Sequence, residues 1–67
     1  MSVFSENLKK YRKSKNMTQQ QVADRLGINR VTYTAYEIAR NEPNLTMVVQ
    51  FADLFGVTTD SLLKKSP

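Results

Sequence analysis

The sequence predicts an all-α domain built from five short helices. Apolar residues recur at intervals of three and four along its 67 residues, which is the period of an amphipathic helix, and no segment shows the alternation typical of a strand. Residues that favour helix starts, among them Thr18, Asn29 and Asn44, stand just before several of these segments. A chain of this length forms one domain with a single small core, expected to span residues 1–67.

The composition argues against several classes of protein. The chain has no cysteine and no histidine, so it lacks thiolate and imidazole groups for metal binding or catalysis, and it has no glycine-rich phosphate loop. We therefore expect no enzymatic activity, no metal, no cofactor and no small-molecule ligand. The longest apolar run is too short to cross a membrane and no signal peptide is evident, so we expect a cytoplasmic protein that does not bind membranes.

Basic residues are concentrated in the first part of the chain. Ten Lys and Arg against six Asp and Glu give a net charge of +4. Residues 1–40 carry eight basic and three acidic groups, whereas residues 41–67 carry two and three. This asymmetry suits a polyanionic partner, although an excess this small also occurs on surfaces that bind nothing.

The first helix is predicted over residues 2–15. Phe4, Leu8 and Tyr11 are spaced at i, i+4 and i+7 and form its apolar face. Asn16 tolerates the left-handed conformation that ends a helix, so we expect the helix to stop there.

Residues 19–38 organise the rest of the chain. They are predicted to form two short helices joined by a tight turn, in which Gly27 takes the positive φ that the corner requires. The small side chain of Ala23 allows the second helix to pack closely across the first, and Ile28 fills the corner. This spacing is that of a helix-turn-helix.

Side-chain caps define where these two helices start. Thr18 is the predicted N-cap of the first, and Gln21 three residues later completes a capping box. Asn29 is the predicted N-cap of the second, which is expected to run to about Glu37.

These features resemble the phage Cro and repressor helix-turn-helix family, also called the xenobiotic-response-element-like family. The resemblance rests on Val22, Ala23, Leu26, Gly27, Ile28, Tyr33 and Tyr36, together with the segments TQQQVADRLGINR, YE, PNL, VVQFADLFGV and TTDSLL. It covers nearly the whole chain. It implies a five-helix, lambda-repressor-like DNA-binding domain whose second and third helices form the helix-turn-helix.

One face of the third helix is left for DNA once Tyr33 and Tyr36 are assigned to the core. Its predicted base-reading residues are Asn29, Arg30, Val31, Thr34 and Ala35. Arg30 can donate two hydrogen bonds to guanine, whereas the three apolar or methyl-bearing side chains suit the thymine methyl group. Asn29 is expected either to read adenine or to bond a phosphate. For Arg30 the alternatives are a phosphate contact or a solvated charge.

Phosphate contacts are expected at the starts of the second and fourth helices and in the loop after the third. The predicted residues are Thr18, Gln19, Arg40, Asn41 and Asn44. Free N–H groups at capped helix starts bind phosphate. The resemblance implies the contacts from the other three residues, and it also implies that Gln19 braces the start of the third helix. For Arg40 and Asn41 the alternative is an exposed polar loop.

The resemblance further implies a structural ion pair between Arg12 and Glu37 that orients the third helix. The chain departs from the family at two positions. Ala39 stands where glycine is usual and must accept a left-handed conformation or adopt another. Tyr33 stands where Ile or Val is common, so a larger ring must fit under the third helix.

The last two helices complete the predicted core. The expected core residues of the fourth helix are Leu45, Val48, Val49, Ala52 and Phe55, and those of the fifth are Leu62 and Leu63. Phe51, Leu54 and Leu63 cannot all be buried in so small a bundle. Apolar surface near these helices is where small relatives dimerise, and packing under the first helix is the alternative.

The sequence therefore predicts a small bacterial or phage transcriptional regulator, with a repressor the favoured form, that binds double-stranded DNA as a homodimer. Two-fold symmetry would place the recognition helices about 34 Å apart and imply an inverted-repeat operator. The alternative is a protein-interaction module, such as an antitoxin-type helix-turn-helix domain, because Arg30 is the only basic residue on the outer face of the third helix.

Overall fold

The computed structural model describes residues 2–65, and residues 1, 66 and 67 of the predicted domain lie outside this range. Five helices follow one another in the order α1 (Val3–Ser14), α2 (Gln19–Leu26), α3 (Arg30–Glu37), α4 (Leu45–Phe55) and α5 (Thr59–Leu63). No strand occurs in this range, and the all-α prediction is confirmed. Within it, too, no helix combines the length and apolar character needed to cross a membrane.

Each helix begins at a polar side chain that accepts a hydrogen bond from the first helical turn. These N-caps are Ser2, Thr18, Asn29, Asn44 and Thr58. The predicted capping box is present: Thr18 Oγ1 accepts from the N–H of Gln21 at 3.0 Å, and the N–H of Thr18 donates to Gln21 Oε1 at 2.8 Å. The helix starts are therefore fixed by local chemistry.

Left-handed residues make the corners between helices. Gly27 ends α2 at φ 68° and Gly56 ends α4 at φ 67°. Two non-glycine residues also have positive φ, Asn16 at 55° and Ala39 at 60°. Ala39 thus accepts the conformation that a glycine would adopt without strain.

The core is centred on the ring of Phe51. Phe4 from α1, together with Tyr33 and Tyr36 from α3, lies with ring centroids 5.9, 5.8 and 5.5 Å from it. Other buried members are Leu8, Val22, Ala23, Val48, Ala52, Phe55 and Leu62. The larger ring of Tyr33 is accommodated in this aromatic group and is fully buried.

The predicted core face of α4 was partly wrong. Its buried residues are Val48, Phe51, Ala52 and Phe55, whereas Val49 is about half exposed. The buried stripe follows i, i+3, i+4 and i+7, and Val49 lies beside it on the helix. Leu45 is 82% exposed, because it precedes the stripe in the first turn and lines an open groove with Leu63.

The short α5 packs against α1. Leu62 is fully buried, but Leu63, predicted to be in the core, is 47% exposed. Asn7, itself buried, donates from Nδ2 to the carbonyl oxygens of Leu62 at 2.8 Å and Lys64 at 3.0 Å. One amide of α1 therefore holds the C-terminal end of a helix that is too short to be stable alone.

Candidate nucleic-acid interface

The first turn of α3 is exposed to solvent. Arg30 and Thr32 are exposed and Val31 is 69% exposed, while Tyr33 in the same helix is fully buried. Asn29 Oδ1 accepts from the N–H of Val31 at 2.8 Å, so this side chain caps the helix and its Nδ2 group is left to donate. The helix therefore presents its N-terminal turn outward.

At the C-terminal end of α3 lies a buried carboxylate that joins three helices. Glu37 is only 1% exposed and accepts hydrogen bonds from Arg12 of α1, Gln19 of α2 and Tyr33 of α3. We call these four residues the Glu37 cluster. Within residues 2–65, every fully buried side-chain nitrogen and oxygen has a hydrogen-bond partner.

The ion pair of the Glu37 cluster is two-pronged. Arg12 Nε donates to Glu37 Oε2 at 2.6 Å and Arg12 Nη2 donates to Oε1 at 3.3 Å. Arg12 Nη1 also donates to the carbonyl of Met17 at 3.0 Å, which ties the end of α1 to the start of α2. Two guanidinium hydrogens remain for an outside acceptor. The pair thus fixes the orientation of α3 against two other helices.

The cluster keeps Glu37 ionised. Burial by itself raises the pKa of the carboxyl, but hydrogen bonds from Arg12, Tyr33 and Gln19 outweigh it and hold the pKa below the ordinary value. The hydrogen bond to Glu37 raises the pKa of Arg12. Burial, followed by the bond to Glu37, raises the pKa of Tyr33 well above its ordinary value. Its hydroxyl is therefore a buried donor to Glu37.

Gln19 connects the cluster to the outer face of α3. Its Nε2 group donates to Glu37 Oε1 at 3.0 Å, and its Oε1 atom accepts from the Thr34 hydroxyl at 2.9 Å. One Nε2 hydrogen is left for a phosphate. Gln19 therefore connects α2 to α3, but its partners Thr34 and Glu37 lie in the second half of α3 and not at its start, where the resemblance implied the contact.

Ala35 does not lie on the open part of this face. It is 9% exposed, and its carbonyl accepts from the N–H groups of Arg40 at 2.8 Å and Asn41 at 3.2 Å. The loop that follows the left-handed Ala39 thus turns back beside α3 and covers it. Ala35 was expected to offer a methyl surface to thymine, but in the structure little of its methyl group is exposed.

The other phosphate candidates are all at the surface. The side chains of Arg40 and Asn41 are exposed. Thr18 and Asn44 are exposed caps, and Asn44 Oδ1 accepts from the N–H of Met47 at 2.8 Å. The first two N–H groups of α2 and α4 have no partner within their helices, as at any helix start. They are available to an anion.

Sequence reasoning missed two exposed residues of this surface, Thr32 in α3 and Ile38 at its C-cap. Ile38, which directly follows the last helical residue, is 51% exposed. It lies seven residues after Val31 and four after Thr34, and that helical spacing was the signal available in the sequence. Val31, Thr34 and Ile38 thus form one stripe along α3 and its C-cap.

The comparison with known protein families decides which class this motif belongs to. A helix-turn-helix family model matches residues 8–62, which include α2, α3 and the residues of the Glu37 cluster. The chain belongs to the helix-turn-helix family. The prediction made from the central segment and its flanks is therefore confirmed.

Several helix-turn-helix regulators are similar to this chain. The HTH-type transcriptional regulator YqaE of Bacillus subtilis is 50% identical over 62 residues, which are 92% of this chain and 53% of that protein. The prophage-derived regulator YonR of the same organism is 48% identical over 92% of this chain and 57% of its own length. The cryptic phage CTXphi transcriptional repressor RstR of Vibrio cholerae is 31% identical over 96% of this chain and 58% of its own length. The chain spans about half the length of these relatives.

Proposed function

We propose that this chain is the DNA-binding part of a bacterial or phage transcriptional regulator, most simply a repressor. It binds double-stranded DNA as a homodimer in the cytoplasm, with α3 in the major groove of an inverted-repeat operator. The function requires binding alone, without a catalytic step or cofactor.

The observation that carries the proposal is the exposed N-terminal turn of α3 in a helix-turn-helix protein. Residues near the N-terminus of a recognition helix are the ones that reach base edges. Arg30 and Val31 are exposed there, and Arg30 has the geometry to donate two hydrogen bonds to guanine O6 and N7. The buried Glu37 cluster supports the same proposal, because base reading needs a helix held in a fixed orientation.

Backbone phosphates supply most of the affinity in this proposal. The start of α2, with Thr18 and Gln19, and the start of α4, with Asn44, offer helix N-termini, while Arg40 and Asn41 extend from the loop. Such contacts make binding salt-dependent, with log K falling by about 0.9 per neutralised phosphate for each unit of log salt concentration. Charged and polar groups thus anchor the domain while α3 selects the sequence.

Dimerisation is proposed through α4 and α5. Leu45 is 82% and Leu63 is 47% exposed, and both line one groove together with Pro43. An apolar surface of this kind on a small domain suits a self-complementary two-fold contact. A dimer built here supplies two recognition helices for one operator, which increases selectivity over a single domain.

The test is selection of bound duplexes from a random-sequence pool at near-physiological salt, with sequencing of the bound fraction. The native chain, Arg30→Ala and the matched control Arg25→Ala, an exposed arginine of α2, are compared. We expect an enriched inverted repeat whose guanine preference is lost only in Arg30→Ala, at a cost of about 1–3 kcal/mol. A pool that never enriches contradicts the proposal.

A protein-interaction module is the second candidate, favoured by the exposed apolar side chains of Val31 and Ile38 on α3. An antitoxin-type domain would use this surface for a protein partner. The dependence of mixed-sequence DNA binding on salt separates the two, since a protein-binding module shows little binding and little salt slope.

A further inference from the structure

The hydrogen-bond direction at Thr34 is determined by the buried carboxylate two contacts away. Glu37, ionised and accepting from three neighbours, can only accept hydrogen bonds. Gln19 must therefore turn its Nε2 group toward Glu37, which leaves its Oε1 atom facing Thr34. A carbonyl oxygen can only accept, so the Thr34 hydroxyl must donate to it.

This direction determines what Thr34 shows to DNA. A threonine hydroxyl has one hydrogen, and here that hydrogen is donated to Gln19 Oε1. A base edge then meets the methyl group and the lone pairs of the Thr34 hydroxyl, with no donor. Guanine O6 and N7 need a donor, whereas the thymine C5-methyl group needs an apolar surface. Val31, on the same stripe of α3 and 69% exposed, adds apolar surface beside it.

We propose that Thr34 reads thymine through its methyl group, and that Gln19 is the positioning residue that keeps the Thr34 hydroxyl from donating to bases. The inference rests on the proposed function, because it names the chemistry by which the same helix chooses bases. It assigns Gln19 a role in base choice in addition to its proposed phosphate contact.

Replacement of thymine by uracil in the selected operator tests the methyl contact, because it removes only the C5-methyl group. We expect about fourfold weaker binding at one thymine position in each half-site, the effect of losing one buried methyl group. Thr34→Ser keeps the hydroxyl and removes the methyl group, so it should abolish that fourfold difference. Thr34→Val keeps a methyl group but removes the hydroxyl. It should bind more weakly overall, yet it should retain the fourfold difference between thymine and uracil.

The role of Gln19 is tested by a double substitution. Gln19→Ala frees the Thr34 hydroxyl to donate, and we expect the thymine preference at that position to relax toward guanine, which presents the two acceptors O6 and N7. Adding Thr34→Val removes the freed hydroxyl and should restore the preference, an outcome that a merely structural Gln19 would not produce. Thermal unfolding of each variant checks that it is folded at the binding temperature.

The outcomes separate this inference from the function on which it rests. The methyl contact of Thr34 is overturned if the selected operator binds equally well with uracil in place of thymine. It is also overturned if Thr34→Val, like Thr34→Ser, no longer distinguishes thymine from uracil. Neither result contradicts the proposed DNA binding. A preference that stays relaxed in the double variant overturns the role of Gln19. A pool without enrichment removes both the proposed function and the inference.

Discussion

The hydroxyl of Tyr33 donates a hydrogen bond to the buried carboxylate of Glu37, four residues further along α3. The ring of Tyr33 packs against Phe51 while its polar end joins Arg12 and Gln19 around the same carboxylate. One side chain therefore links the aromatic core to the polar cluster that orients α3.

Removing this hydroxyl should destabilise the domain without opening a cavity. We expect Tyr33→Phe to lower the free energy of unfolding by about 1.5–3 kcal/mol, the contribution of a hydrogen bond to a charged group. Urea denaturation measures it. Tyr36→Phe is the matched control, because Tyr36 packs on the same Phe51 and no hydrogen bond of its hydroxyl is seen within residues 2–65. Equal losses in both variants would refute the contribution of the Tyr33–Glu37 bond.

Stability should fall in acid because the pKa of Glu37 is lower in the folded state than its ordinary value of 4.5. A lowered folded pKa means that ionisation of Glu37 stabilises the fold fully above pH 4.5, and that this stabilisation is lost as pH falls through the folded pKa. The free energy of unfolding, measured by denaturation from pH 6 downward, should show the decline. In Glu37→Gln this part of the pH dependence should disappear; if the profile is unchanged, other carboxyl groups account for it.

Ala39→Gly should stabilise the protein. Ala39 has φ 60°, where an alanine Cβ is strained by about 1–2 kcal/mol, and the added freedom of glycine in the unfolded chain offsets part of the gain. We expect a net increase of about 0.5–1 kcal/mol, seen as a higher Tm.

Gly56→Ala tests the same conformational effect in the opposite direction. Gly56 has φ 67°, and a Cβ added there meets no atom within 4 Å, so only backbone strain is introduced. It should lower the free energy of unfolding by about 1 kcal/mol. For Ala39→Gly, the variant of the preceding prediction, a lower Tm instead of a higher one would show that the loop beside α3 depends on the alanine.

Asn7→Asp should release α5 from α1. The substitution replaces an amide that donates to two carbonyl oxygens by a carboxylate that only accepts. We expect the domain to lose about 1–3 kcal/mol and the amides of α5 to lose protection from hydrogen exchange before those of α2. Uniform loss of protection would mean that α5 unfolds only with the whole domain.

A charge at the exposed end of α5 tests the proposed dimer. Leu63→Glu should shift the protein to a monomer in sedimentation analysis and weaken operator binding, while its stability changes little because Leu63 is 47% exposed. Lys65→Glu, at an exposed position two residues later, is the control for added negative charge. An unchanged sedimentation coefficient in Leu63→Glu would place the contact elsewhere.

Helix ends were predictable from the sequence because their determinants are local. Thr18, Asn29 and Gly27 act on backbone groups within four residues, so their chemistry is visible without tertiary information. The core face of α4 was harder, because Val48 and Val49 both belong to plausible apolar stripes and only the neighbouring helices choose between them.

The candidate site was predictable in composition and less so in arrangement. Arg12 and Glu37 were named as a pair from the resemblance, but the part played by Tyr33 depends on three helices meeting at one carboxylate. The burial of Ala35 depends on the return path of a loop that starts with a strained residue. Neither feature has a local signal in the sequence.

The Glu37 cluster separates the residues that hold α3 from those that face outward. Arg30 and Val31 are exposed, whereas the contacts that anchor the helix run through Glu37 and Tyr33. Substitutions at exposed positions usually change stability by less than about 0.5 kcal/mol. Under the proposed function, such a helix can be retargeted to new operators by exchanging its outer side chains, so the domain can diverge in specificity while its scaffold stays constant.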